Sequence, residues 1–222
     1  MPIVICEYAP GRTEAFAQWL PHATIVRRHL GEPIPDVFDG IVFAGGPMSA
    51  HAEDRKAFPF LQEDFDLIQH LHAQQNGPWM AGVCLGAQLI TFALGGEVCE
   101  GLFVRGWNQI RPVTQDLLFE ACDAPVQFEF HRNHITRLPA GATLLADSDM
   151  DYVEAYRVGN RVLVVAYHPE IAAEDANRIY DMARLTESER HEDRFVEPSV
   201  TARRASAQFF VALNQLGKGE TV

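Results

Sequence analysis

The sequence predicts a three-layer α/β domain in which a mixed, mainly parallel sheet is flanked by helices. Three observations carry this prediction. Short apolar, β-branched runs at Ile3–Cys6, Gly40–Ala44 and Trp79–Val83 suit strands buried on both faces. Stretches with helical spacing alternate with them, as in sheets covered by helices. A tight turn, Gly82-Val83-Cys84-Leu85-Gly86, leads from the last run directly into a helix-forming stretch.

Taken in order, Ile3–Cys6 is the first strand. Gly11–Leu20 has helix spacing, with Phe16, Trp19 and Leu20 on one side. Ala23–Val26 is a second short strand, and a Gly/Pro-rich connection over Gly31–Pro35 leads to the third, Gly40–Ala44. That strand ends at Gly45-Gly46-Pro47. Pro59 suits the first turn of the next helix, where a missing N–H is harmless. Leu61, Phe65, Ile68 and Leu71 then recur at steps of four and three, and Gly77-Pro78 stops the helix. The central strand, the turn at Cys84 and a helix over Ala87–Leu94 follow, ended by Gly95-Gly96.

From Glu97 the pattern changes. Val104–Val113, Val126–Phe130, Tyr152–Val158 and Arg161–Ala166 read as strands of a partly antiparallel region. Pro139-Ala140-Gly141 marks a turn, and Gly159-Asn160 the tip of a hairpin. Helices are predicted at Ala173–Leu185 and Val200–Leu216, the second burying Ala205, Phe209, Leu213 and Leu216 before a Gly217 cap. The charged stretch Thr186–Arg204 reads as a solvated loop or short helix, alternatively as a lid over a site.

Length and composition narrow the classes. A chain of 222 residues with 47% hydrophobic content suits one generous α/β domain, here taken as residues 1–222. A net charge of −12 argues against nucleic acid or anionic lipid as the main partner. No stretch approaches the ~18–20 apolar residues of a membrane span, and the N-terminus lacks a basic, secretory-type leader. The four cysteines, Cys6, Cys84, Cys99 and Cys122, show no disulfide or metal spacing, so a reducing, cytoplasmic setting is expected. Cys6, Cys99 and Cys122 lie in or beside apolar stretches and read as packing residues.

Cys84 is the candidate nucleophile. Gly-x-Cys-x-Gly between a strand and a helix is the thiol form of a nucleophile elbow, where a side chain at either glycine would crowd the turn. The helix N-terminus behind it favours thiolate. A buried structural cysteine is the competing reading. A thiol near its reference pKa of ~8.5 needs a base. His168 qualifies, since the apolar run Val162–Tyr167 delivers it from a strand end. Glu170, two residues on, projects to the same side in extended geometry and would orient the ring; a surface loop is the alternative. Gly46, after the third strand, and Leu85, after the nucleophile, are placed to offer N–H groups to an oxyanion. Gly45-Gly46 lacks the Gly-Lys-Ser/Thr ending of a phosphate loop. His131 and His134 raise the question of a metal, but no further ligands lie at a convincing spacing, and i, i+3 does not share a face on a strand. No metal is expected.

Four blocks then coincide: DGIVFAGGPMSA (39–50), GVCLGAQLI (82–90), FEFHRNHITRLPAGATLLADS (128–148) and AYHPE (166–170). In these the chain resembles the class I glutamine amidotransferases, the Cys-His-Glu glutaminase domains of enzymes such as GMP synthetase, and looks closest to stand-alone GMP-synthetase-like members. The resemblance implies a flavodoxin-like fold, no cofactor, and glutamine as substrate. It implies Cys84 as nucleophile, His168 as base and acid, Glu170 as orienter, and Gly46 and Leu85 as oxyanion donors. Gln88 would grip the amino-acid end of the substrate, with backbone groups of Arg132 and Asn133. Ala166-Tyr167 replaces the family's usual Gln-Phe before His-Pro-Glu, and Arg132-Asn133 replaces smaller residues. The first departure implies altered packing and pocket shape with the chemistry intact. With no ATP-binding loop or acceptor half in view, the ammonia-using synthetase is expected on a separate chain. A γ-glutamyl hydrolase or peptidase using the same triad is the alternative, and a non-catalytic binding module is the third reading.

Overall fold

The computed structural model describes all residues except Met1, Arg12, Gln75, Asp123, Ala124, 185–199 and 219–222. Among the described residues there are ten strands: β1 (Ile3–Glu7), β2 (Thr24–Arg27), β3 (Gly40–Phe43), β4 (Trp79–Val83), β5 (Glu97–Gln109), β6 (Arg111–Pro112), β7 (Val126–Arg137), β8 (Ala142–Asp147), β9 (Ala155–Val158) and β10 (Val162–Val165). The α-helices among the described residues are α1 (Glu14–Ala17), α2 (Ala52–Ala57), α3 (Pro59–Ala73), α4 (Leu85–Ala93), α5 (Ala173–Met182) and α6 (Val200–Gln215).

The main sheet has eight strands in the order β2-β1-β3-β4-β10-β9-β8-β6. The first five run parallel, and β9, β8 and β6 extend the sheet antiparallel. The mixed, mainly parallel architecture is therefore the one expected. Strands β3, β4 and β10 are buried at every position, which explains their continuous apolar runs. Successive side chains leave for opposite faces. Ile5, Val42, Ala81 and Leu163 pack with Phe209 and Leu213 of α6 on one face. Val4, Ile41, Met80 and Val164 pack with Leu61 and Ile68 of α3 and Leu89 of α4 on the other. Each fully buried side chain of this kind contributes about 1.5–3 kcal/mol, so both faces anchor β4 at the centre.

Strands β5 and β7 form a separate antiparallel pair. Helix α5 covers it, with Ile179 and Tyr180 against Trp107 and Phe128. Isolated pairing of Phe128 with His168 ties this ribbon to the main sheet.

Several boundaries differ from expectation. The helix expected over Gly11–Leu20 is one turn, Glu14–Ala17. Helix α2 precedes Pro59, with Glu53 and Asp54 in its first turn and Arg55 and Lys56 in its last. The segment expected only as a turn after Leu138 contains β8, paired to both β6 and β9. Strand β5 begins at Glu97, and β7 runs on to Arg137. The end of the helix expected at Leu185, and the possible lid over 186–199, lie outside the described residues; 200–204 belong to α6.

Candidate active site

Three adjacent strands, β3, β4 and β10, bring their carboxyl ends to one edge, where open α/β sheets place ligands. Val83 stands in register with Val165, and Gly82 with Phe43. Cys84 follows β4 directly, with φ 51° and ψ −103°. An L-residue held there costs about 1–3 kcal/mol, and the surroundings over-determine it. Its N–H donates to Val165 O at 3.1 Å, and the Gly86 N–H donates to Ala44 O at 3.2 Å. A Cβ on Gly86 would lie 1.9 Å from Phe43 O, and one on Gly82 would lie 2.6 Å from Gly86 O. Both glycines are thus required by close backbone approach, as the elbow pattern predicts.

The His168 N–H donates to Phe128 O at 2.7 Å, and its Nδ1 lies 2.7 Å from Glu170 Oε1. The two-residue spacing predicts that the pair meets along extended backbone. Instead the chain turns after His168, with the Ile171 N–H donating to His168 O at 3.3 Å, and the two side chains still meet. Both are buried, at 7% and 2% exposure. The His168 ring and Cys84 flank the same glycine: a Cβ on Gly45 would lie 2.6 Å from His168 Cε1 and 3.6 Å from Cys84 Cβ. They are close enough for the two groups to act on one another electrostatically.

The electrostatics follow from this proximity. Burial pushes the Cys84 thiol up, but the charges of His168 and His131 outweigh it and hold the thiol below its ordinary value. Burial lowers His168, yet Glu170 and Cys84 raise it to about 10. The favoured state is therefore thiolate beside imidazolium.

Gly45 and Gly46 follow β3. Having no side chain, Gly45 makes room for the Cys84–His168 pair, a role the sequence reading did not assign to it. Gly46 sits against Leu85, whose Cδ2 would be 2.8 Å from an added Cβ. The N–H groups of Gly46 and Leu85 donate in none of the loop and turn hydrogen bonds among the described residues, whereas those of Cys84 and Gly86 are engaged.

A cleft of about 930 Å³ opens over these groups and is also lined by Gln88, His131, Arg132 and Asn133. Gln88 is buried, and its Oε1 accepts from the Ala50 N–H at 3.3 Å. Asn133 Oδ1 lies 3.3 Å from His51 Nε2, and the Arg132 guanidinium stacks 4.6 Å from the centre of the Phe103 ring. Tyr167, where the family pattern has Phe, is buried in the core beside Val165.

Two expectations fail here. The rings of His131 and His134 do meet, with centroids 5.4 Å apart. The β5–β7 pair shifts register between Glu100 and Val104, opposite the segment that joins the two histidines. Cys99 is exposed, because β5 there lies at the surface. Behind His131, Glu129 and Glu154 are buried within reach of Asp151. Burial first, then neighbouring negative charge, pushes both glutamates above the usual carboxylate range.

No helix among the described residues is long and apolar enough to cross a membrane. The family model described as "Glutamine amidotransferase class-I" matches residues 20–181. One of the subunits of the glutamine-hydrolysing GMP synthase of Sulfolobus acidocaldarius is 31% identical over 138 residues, covering 60% of this chain and 68% of that one. The glutamine-hydrolysing GMP synthase of Thermotoga maritima is 30% identical over 134 residues. Those residues cover 60% of this chain but 24% of that longer protein, so the match spans about a quarter of its length. In fold, the chain is similar to a glutamine amidotransferase from Thermotoga maritima, with TM-score 0.76, 19% identity, and 99% of each chain covered. The corresponding values for a glutamine amidotransferase from Methylobacillus flagellatus are 0.76 and 22%, over 96% and 94% of the two chains.

Proposed function

The chain belongs to the class I glutamine amidotransferase family, and on that premise we propose that it hydrolyses the side-chain amide of glutamine through a glutamyl thioester on Cys84. The supporting observation is the buried series Cys84–His168–Glu170 at the ends of neighbouring strands.

The Cys84 thiolate attacks the amide carbon, and the carbonyl π pair moves to oxygen. Gly46 and Leu85 stabilise that oxyanion, each donor worth roughly 10²–10³ in rate. When the oxyanion collapses, the carbon–nitrogen bond breaks and the His168 imidazolium protonates the departing ammonia. Glu170 holds Nδ1 and keeps Nε2 toward the reacting atoms. Water then attacks the thioester as neutral His168 takes its proton, and glutamate and the starting thiolate–imidazolium pair return. Gln88, with backbone groups of Arg132 and Asn133, binds the amino-acid end of the substrate.

Residues 1–222 constitute one glutaminase domain in this reading, and its ammonia serves a synthetase on a separate chain. The relatives that are themselves single subunits of GMP synthases support that division. A second reading has a specific basis. The cleft of about 930 Å³ lies near the upper end of the ~300–1,000 Å³ typical of ligand pockets, which favours a γ-glutamyl amide bulkier than glutamine. Ammonia release from L-glutamine, compared with hydrolysis of γ-glutamyl peptides, separates the two. Turnover of peptides with none of glutamine contradicts the first.

A further inference from the structure

A second constellation of ligating groups lies beside the cleft. Donor atoms of His131, His134 and Asp151 lie within 4.8 Å of one another, and the same holds for Glu129, Asp151 and Glu154. Asp151 belongs to both sets. From these residues we propose a binding site for a zinc-class divalent cation, centred on His131, His134 and Asp151 and backed by Glu129 and Glu154.

The unpaired groups provide the first support. Glu129 and Glu154 are wholly buried, yet Glu129 Oε2 and Glu154 Oε2 meet no hydrogen-bond donor among the described residues. Buried carboxylates are ordinarily paired or metal-bound, since an uncompensated buried charge costs several kcal/mol. No lysine or arginine forms an ion pair with these carboxylates among the described residues. Glu129 and Asp151 face the two imidazoles instead: His131 Nε2 lies 3.3 Å from Glu129 Oε1 and 3.7 Å from Asp151 Oδ2, and His134 Nδ1 lies 2.8 Å from Asp151 Oδ2, while Glu154 meets Ser148 and Glu129.

The supporting shell provides the second. His134 Nε2 lies 2.8 Å from Leu102 O, so its N–H donates there, while Nδ1 faces Asp151 Oδ2 at 2.8 Å, donates to it, and would give up that proton to an ion. A ligating histidine is commonly oriented in this way, through its other nitrogen. A Cβ on Gly101 would lie 2.7 Å from His134 Cδ2, so glycine gives the ring its place. Ser148 fixes the opposite wall: its Oγ donates to Glu154 Oε1 at 2.6 Å and accepts from the Asp151 N–H at 2.9 Å. Imidazole and carboxylate donors together suit zinc and its neighbours. Ligands bound at ~2.0–2.2 Å sit up to about 4 Å apart, so closing the site needs side-chain adjustments of about an ångström. Because His131 also lines the cleft, the ion would add positive charge near Cys84. Ion binding itself does not rest on the glutaminase reading.

The test uses the full chain carrying Cys84→Ala, which removes the competing thiolate. After chelator treatment the protein is titrated with Co²⁺, and Zn²⁺ is added to displace it. One equivalent should bind, giving visible ligand-field bands without a thiolate charge-transfer band. His134→Ala and Asp151→Asn should each weaken binding at least tenfold. X-ray absorption of the zinc-loaded protein should show an oxygen/nitrogen shell containing two imidazoles. Absence of stoichiometric binding overturns the site and leaves the carboxylates to share protons. Unchanged affinity in a folded variant, or a shell with sulfur or without imidazole, also overturns it.

Discussion

His168 Nδ1 and Glu170 Oε1 lie 2.7 Å apart, both buried, although a turn rather than a strand connects them. Replacing Glu170 with glutamine keeps the shape but removes the charge that holds the imidazolium and its tautomer. The kcat for glutamine hydrolysis should fall about 10²–10⁴-fold with KM little changed, measured by steady-state ammonia release. An unaltered kcat would remove Glu170 from the mechanism.

The pH profile has a definite sign. His168 is raised to about 10 and Cys84 is lowered, so the charged pair persists between the two. The rate should rise with pH through the depressed thiol pKa, hold, and fall near pH 10 as His168 loses the proton needed by ammonia. Stability follows the same histidine. Its folded pKa exceeds the unfolded value of ~6.5, so its contribution is complete below that value and is lost as pH rises through about 10. Denaturant melts at several pH values measure this.

Gly86→Ala tests the elbow's packing. Its Cβ would meet Phe43 O at 1.9 Å, and backbone cannot yield as a flexible side-chain tip can. A loss of about 3 kcal/mol or more is expected, read from urea unfolding, and Gly82→Ala should act similarly against Gly86 O.

At Gly46 an added Cβ meets the flexible tip of Leu85 at 2.8 Å and Tyr8 Cβ at 3.0 Å. Gly46→Ala should therefore fold while its N–H shifts. A loss of about 10²–10³ in kcat with nearly constant KM identifies it as an oxyanion donor, whereas a pure KM effect would assign it to substrate binding.

The buried parallel strands were legible because burial on both faces makes β3, β4 and β10 continuous apolar runs, and the Cys84 elbow because close backbone approach demands Gly82 and Gly86. Strand β8 was not: ATLLAD mixes exposed and buried positions without clean alternation, and its partners β6 and β9 alone define it. The meeting of His131 with His134 lies where β5 shifts register against β7, and local spacing in β7 does not encode that shift. The cluster of Glu129, Asp151 and Glu154 joins β7 to the segment before β9, so only the tertiary fold assembles it. Gly45 carried no signal for a similar reason, since its neighbour His168 lies far along the chain.

The central claim is that Cys84 carries the acyl group, and the direct measurement is peptide mass mapping after reaction with a glutamine-like electrophile. One adduct per chain is expected, on Cys84, with ammonia release from glutamine lost in parallel. A protein that still releases ammonia with Cys84 fully modified, or one that loses activity with the adduct elsewhere, would contradict it.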